Sequence, residues 1–279
     1  MIVLGGAGTG KSLVLAEAAK QEAASGRSVL ITFRSPGLRG FFEPRVIGRD
    51  VDVVPFEELT ALRRYDVLFV DEAQDLMSPE AMDLLDLVVV GGRGAGRWRM
   101  SLDPNNQAQV DGRFDPEVFE IVLGEAISYD LSLNVRNTKA IVHVVQEYLG
   151  ADVGDPGIVN GERIQWHWGG GTDPVDEALA LAGRLKTEGV RADDIWIIPV
   201  EAEVDLDVVR DGVRVLSPRA AKGLEAEHVI VCSLPDEFDD QRLANFYVAL
   251  TRARVSLHVV ANETDKKRLQ SLARKQAHR

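Results

Sequence analysis

The sequence predicts an α/β protein of parallel sheets covered by helices, divided into two units. Short apolar runs of β-type composition alternate with helical patterns along all 279 residues, as parallel sheets with crossover helices require. About eleven such runs occur, more than one modest sheet holds, so two units are the economical arrangement. Helix starts also carry caps: Ser78-Pro79 and Asp173-Pro174 place a capping side chain before Pro at the first helical position.

In order, residues 2–4 form a short strand, a glycine-rich loop follows, and 11–25 read as a helix. Strands are expected at 29–33, 51–54, 67–70 and 97–102, with helices at 79–88 and 116–123. The first unit is expected to span 1–125 and the second 126–279, with the boundary at Gly124-Glu125-Ala126. The second unit then opens on a strand at 127–131 and continues with strands at 164–168, 195–200, 213–217, 229–233 and 256–261. Helices at 138–149, 174–188, 240–253 and 265–275 separate most of them.

Composition is that of an ordinary soluble chain, 45% hydrophobic and 27% charged. No apolar run approaches the ~18 residues of a membrane span. The single cysteine, Cys232, lies in an apolar run and reads as core, and the five histidines show no metal-ligand spacing. With no leader ahead of the first strand, a cytoplasmic location is expected. The net charge of −12 argues against a broadly basic nucleic-acid face and leaves room for a local one. The basic residues Lys266, Lys267, Arg268, Arg274, Lys275 and Arg279 form either a contact surface or a solvated helix end.

The most informative segment is Gly5-Gly6-Ala7-Gly8-Thr9-Gly10-Lys11-Ser12. It fits the phosphate-binding P-loop and has the strand–loop–helix context that the motif needs. Glycines such as Gly5, Gly8 and Gly10 let successive N–H groups, including that of Thr9, turn towards phosphates. The helix N-terminus adds its positive end. Lys11 can reach the β- and γ-phosphates and the Ser12 hydroxyl can ligate Mg²⁺, so ATP with Mg²⁺ is the expected ligand. Val67-Leu68-Phe69-Val70-Asp71-Glu72-Ala73-Gln74-Asp75 is a strand ending in paired carboxylates. In this Walker B arrangement Asp71 serves the metal and Glu72 polarises the attacking water as general base.

Asp71-Glu72-Ala73-Gln74-Asp75 resembles motif II of the UvrD/Rep-like superfamily 1 helicases, and further segments follow in that family's order. Residues 29–33 resemble motif Ia, which touches single-stranded nucleic acid. Ser101-Leu102-Asp103-Pro104-Asn105-Asn106-Gln107 resembles motif III. Leu131-Ser132-Leu133-Asn134-Val135-Arg136-Asn137-Thr138 resembles motif IV, 215–225 motif V, and Tyr247-Val248-Ala249-Leu250-Thr251-Arg252-Ala253 motif VI. The resemblance spans residues 5 to about 260 and implies a P-loop NTPase of two RecA-like parallel-sheet domains in tandem. It assigns γ-phosphate sensing to Gln107, with Gln109 a competitor. It also assigns a γ-phosphate contact to Arg136, a ribose contact to Glu225 and an arginine finger to Arg252. It implies an ATP-driven motor on single-stranded DNA, closing two lobes on the nucleotide.

The departures matter equally. About thirty residues separate motif Ia from II and about seventy-five separate IV from V, leaving no room for the insertions of unwinding members. A minimal translocase is expected. Only four residues precede the P-loop, where the family places its adenine-binding glutamine, and Val135 stands where relatives stack an aromatic on the base. Base recognition should be poor. The acidic charge keeps a second reading open, a nucleotide-driven switch acting on a protein partner such as a nuclease. Trp166 and Trp168 share one face of a predicted strand, either as packed core or as a stacking platform for bases.

Overall fold

The computed structural model describes all residues except 104, 106–113, 170–172, 204–205 and 277–279. The chain divides into two compact units, Met1–Ser132 and Leu133–Arg279. Both are layered α/β structures with a large, mainly parallel sheet, consistent with tandem RecA-like domains.

The first unit contains β1 (Ile2–Leu4), α1 (Lys11–Ala24), β2 (Val29–Phe33), α2 (Leu38–Val46), β3 (Val51–Pro55) and β4 (Val67–Val70). It continues with α3 (Pro79–Val88), α4 (Gly92–Ala95), β5 (Arg97–Leu102), α5 (Pro116–Gly124) and β6 (Ser128–Asp130). Its strands run parallel in the order β3-β2-β4-β5-β1-β6. Strands buried on both faces need continuous apolar sequence, and β2 and β4 are buried at every residue. Leu15, Ala19, Phe33, Phe42 and Phe69 pack on one face with α1 and α2. Leu68, Val70, Leu85, Met100 and Val122 pack on the other with α3 and α5. Full burial of each large side chain contributes roughly 1.5–3 kcal/mol. Ser78 caps α3 by accepting from the Ala81 N–H, and Asp115 caps α5.

The expected boundary at 125/126 differs from the structure. The segment beginning at Ile127 belongs to the first sheet, because β6 pairs with β1 (Ile2 with Ser128, Leu4 with Asp130). The first unit therefore runs to Ser132. Helix α2 is absent from the sequence reading because Gly40 and Pro44 mask it. Leu38, Phe42 and Val46 nevertheless recur at helical spacing and are buried, with Phe42 stacked on Phe33 at 5.7 Å.

The second unit contains β7 (Leu133–Asn134), α6 (Lys139–Leu149), β8 (Asp155–Pro156), β9 (Gln165–Trp168), α7 (Pro174–Thr187) and β10 (Ile195–Pro199). There follow β11 (Asp207–Arg210), β12 (Val213–Leu216), α8 (Pro218–Ala221), β13 (Ala226–Cys232), α9 (Asp240–Thr251), β14 (Ala253–Ala261) and α10 (Glu263–Gln276). The sheet order is β11-β12-β10-β13-β14-β9. All pairings are parallel except the hairpin β11–β12. Asp211 (φ 52°) and Gly212 (φ 79°) make its two-residue turn, the residues such a turn favours. Leu181, Ile197, Ile230 and Val260 pack beneath α7.

Candidate nucleotide-binding site

In the first unit, β4, β5 and β1 are neighbours. Each ends in one of the segments singled out above, so motif II, motif III and the P-loop share the C-terminal edge of the sheet. Parallel sheets place their ligand sites at that edge.

The P-loop leaves β1 through Gly5. A Cβ there would lie 2.6 Å from Thr9 Oγ1 and 2.8 Å from the Leu131 carbonyl oxygen, which only glycine avoids. Gly8 (φ 87°) and Gly10 (φ 89°) are left-handed, and the Thr9 hydroxyl donates to the Gly6 carbonyl at 2.9 Å, holding the curl. Gly10 is the N-cap of α1 and offers no side-chain acceptor, and the first turn holds no acidic residue. That leaves the positive end of the helix suited to an anion. Lys11 is buried, its ammonium donating to the carbonyls of Gly5 at 2.8 Å and Gly6 at 3.0 Å.

Ser12, in the first turn of α1, donates its hydroxyl to Asp71 Oδ2 at 2.7 Å. Asp71 Oδ1 accepts from the Ser101 hydroxyl, and Ser101 Oγ also accepts the Glu72 N–H at 3.3 Å. Asp71 is wholly buried. Its pKa is pushed up to about 6 by burial and then by the Glu72 charge, against the hydrogen bonds from Ser101 and Ser12 and the charge of Lys11. A buried carboxylate held in this way gains from a nearby cation. The hydroxyl and carboxylate oxygens are hard donors suited to Mg²⁺, which keeps water and takes substrate phosphate as its remaining ligands. Among the described residues there is no group of three or more His, Cys, Asp or Glu that could hold a metal on its own, so phosphate oxygens would complete such a shell.

Glu72 has left-handed backbone angles, φ 51° and ψ 44°, a strained conformation for a residue with a side chain. Gln74 Nε2 donates to Glu72 Oε2, while Gln74 Oε1 accepts the Asp103 N–H at 3.1 Å. Gln74 therefore links motif II to motif III. Asp103 is buried and its pKa is raised, mainly by that burial. Gln107 and its competitor Gln109 lie outside the described residues. Sequence reasoning missed Ser101 and Gln74 as positioning residues. Both stand inside the motifs quoted, and only the adjacency of β4 and β5 gives them their partners.

In the second unit, Arg136 Nε lies 2.6 Å from Glu225 Oε2. Arg254 lies 3.5 Å from Glu225 and 3.3 Å from Glu227. Motifs IV and V thus meet through the two residues expected to contact phosphate and ribose. Asn134 Oδ1 accepts the N–H groups of Arg136 and Asn137. Asn137 Nδ2 donates to the carbonyls of Thr251 at 3.1 Å and Ala253 at 2.7 Å, which fastens motif IV to motif VI. Arg252, between them, is 2% exposed. Its guanidinium donates to Val248 O, Leu224 O and Thr251 Oγ1 at 3.1, 3.0 and 2.9 Å. The expected arginine finger therefore has an internal task here, tying the end of α9 to motif V.

The fold is a pair of layered, mainly parallel sheets consistent with tandem RecA-like domains, and the first sheet carries the candidate P-loop site. Residues 180–261 match the family model of the viral superfamily 1 RNA helicase core domain. The whole fold is similar to the Arterivirus nonstructural protein 10 helicase in complex with DNA, at 14% identity and a TM-score of 0.57, over 98% of this chain and 62% of that one. It is also similar to the PRRSV helicase, at 16% identity and a TM-score of 0.57, over 97% of this chain and 53% of that one. The chain thus spans less than two thirds of the length of these helicases. No curated protein sequence matches it. The family model covers residues 180–261 and the similar structures share the fold; neither singles out the UvrD/Rep-like branch. Among the described residues, no helix is long and apolar enough to cross a membrane.

Proposed function

We propose that the chain is the Mg²⁺-dependent ATP-hydrolysing core of a superfamily 1 translocase or helicase coupled to single-stranded nucleic acid. The observation that carries this reading is the contact between Ser12 and Asp71 at the sheet edge, with Glu72 beside it. Lys11 and the P-loop N–H groups bind the phosphates, Ser12 and Asp71 hold the metal, and Glu72 orients and deprotonates water. Mg²⁺ supplies charge neutralisation on the phosphate oxygens when bound. We assign Gln107, Arg136, Arg252 and Glu225 to γ-phosphate sensing, γ-phosphate contact, transition-state charge and ribose respectively.

The Asp-Glu-Ala-Gln-Asp and Val-Ala-Leu-Thr-Arg-Ala segments favour a UvrD-like motor on DNA. The names of the similar proteins include both an RNA helicase family and a complex with DNA. The net charge of −12 favours one rival, a nucleotide-driven switch that acts on a protein partner such as a nuclease. ATPase rates with no polymer, single-stranded DNA and single-stranded RNA separate the two. The motor reading expects stimulation by at least one strand, and equal rates in all three samples would support the switch.

A further inference from the structure

Trp166 and Trp168 lie on β9, the last strand of the second sheet, which pairs with β14. They do not form a packed core face. Their rings are parallel within 8° with centroids 5.7 Å apart, and Trp168 is 43% exposed. Tyr148 of α6 continues the row, 5.7 Å from Trp166. At the other end the Lys266 ammonium of α10 stands 5.0 Å from the Trp168 ring centroid. The result is a stacked indole pair with Tyr148 tilted at 51° on one end and the Lys266 ammonium over the partly exposed Trp168 ring on the other.

Helix α10, which supplies Lys266, is net basic, with Arg268 paired to Asp236 at 2.8 Å and Glu177 lining the same end. Helix α10 carries Lys266, Lys267, Arg268, Arg274 and Lys275 against Glu263 and Asp265. Asp265 faces inward, accepting the Asn262 N–H at 2.8 Å and pairing with Arg268 at 3.2 Å. Glu263 is exposed, 3.7 Å from Lys266. Lys267, Arg274 and Lys275 are exposed. Trp166 stacks on one side of the Trp168 ring and the Lys266 ammonium lies over the ring, so a strand that draws Lys266 onto a phosphate would open the indole to a base.

We propose that Tyr148, Trp166 and Trp168, with Lys266 and its neighbours on α10, form a base-stacking platform for single-stranded nucleic acid. The platform lies outside every motif described above. It rests on the nucleic-acid reading of the chain and adds a second point of contact to it. A paired duplex keeps its base faces covered except at its ends, so the platform selects single strands.

The test is fluorescence anisotropy on the full chain with two labelled oligomers of equal phosphate number, one of thymidines and one of abasic sites. Trp168→Ala should weaken thymidine-oligomer binding roughly tenfold and leave abasic-oligomer binding unchanged. Trp168→Phe, which keeps a flat ring, should retain most of the affinity, so loss of the fold in the Ala variant would not be mistaken for loss of stacking. Lys266→Gln should lower the salt dependence for both oligomers by about 0.7 in the log–log slope. Wild-type binding of both oligomers with Trp168→Ala unchanged for thymidines would overturn the platform alone. Equal losses for both oligomers would overturn it too. Failure of the wild type to bind either oligomer would overturn the nucleic-acid reading together with the platform.

Discussion

Ser12 and Asp71, 59 residues apart in sequence, meet through a 2.7 Å hydrogen bond from the serine hydroxyl to the carboxylate. The bond joins the first turn of α1 to the end of β4, with Ser101 of β5 on the other carboxylate oxygen. That carboxylate has a folded pKa of about 6, above its ordinary 3.8, so between those values the folded chain binds more protons than the unfolded one.

A pH-dependent stability effect follows. The folded pKa is raised, so the stability tied to the protonated carboxyl is fully present below about 3.8 and is lost as pH rises through about 6. Asp71→Asn removes this penalty. In the absence of nucleotide and metal, the variant should be more stable than wild type at pH 8, by on the order of 3 kcal/mol. The difference should vanish near pH 4. Urea unfolding across that pH range measures it, and a difference independent of pH would contradict the burial of a titrating Asp71.

Lys11→Ala and Glu72→Gln should separate binding from chemistry. On the proposed function Lys11 would neutralise phosphate, so its loss should weaken ATP affinity and abolish turnover. Glu72→Gln keeps the phosphate cradle, so ATP should stay bound while the rate falls by roughly 10²–10⁴. Equilibrium binding of a fluorescent ATP analogue, set beside turnover, distinguishes the two. Weak binding by both variants would remove Glu72 from the role of base.

The second unit offers a stability test. Asn137 is buried and its amide serves two carbonyls flanking Arg252. Asn137→Ala leaves those carbonyls without that donor and should cost roughly 2–4 kcal/mol. Arg252→Ala strips donors from Val248, Leu224 and Thr251 and should also lower the melting temperature. Its proposed phosphate contact requires a second effect, a lower turnover rate measured well below the melting temperature. Normal turnover in the folded variant would leave Arg252 with its internal task alone.

Discrimination among ATP, GTP and CTP should be weak. Val135, at the position where the UvrD/Rep-like family stacks an aromatic on the base, is an exposed aliphatic side chain, so affinity should rest on phosphates and metal. Competition binding checks this, and a preference for ATP of tens-fold would contradict it.

The first unit's site was largely legible because its residues are clustered in sequence. A strand, a tight loop and a helix carry the P-loop, and one strand end carries Asp71 and Glu72. Ser101 and Gln74 were not legible as partners, because their roles depend on β5 lying between β4 and β1. The strand beginning at Ile127 was legible as a strand but not as a member of the first sheet, since pairing with β1 is a long-range event. Helix α2 was hidden by Gly40 and Pro44, which tertiary packing of Phe42 overrides. The hairpin turn Asp211-Gly212 carried a local signal that short strands around it obscured. Motif VI fixed the place of Arg252 in the chain but said nothing of its burial.

Hydrolysis at Ser12, Asp71 and Glu72 is proposed to be coupled to a single strand. The most direct test of that coupling is steady-state ATP hydrolysis in Mg²⁺ by wild type and Glu72→Gln side by side, as a single-stranded oligomer is titrated in. The wild-type rate should rise and saturate with the oligomer, while the variant stays near the background at every concentration. A wild-type rate indifferent to the oligomer, or equal rates for the two proteins, would contradict the claim.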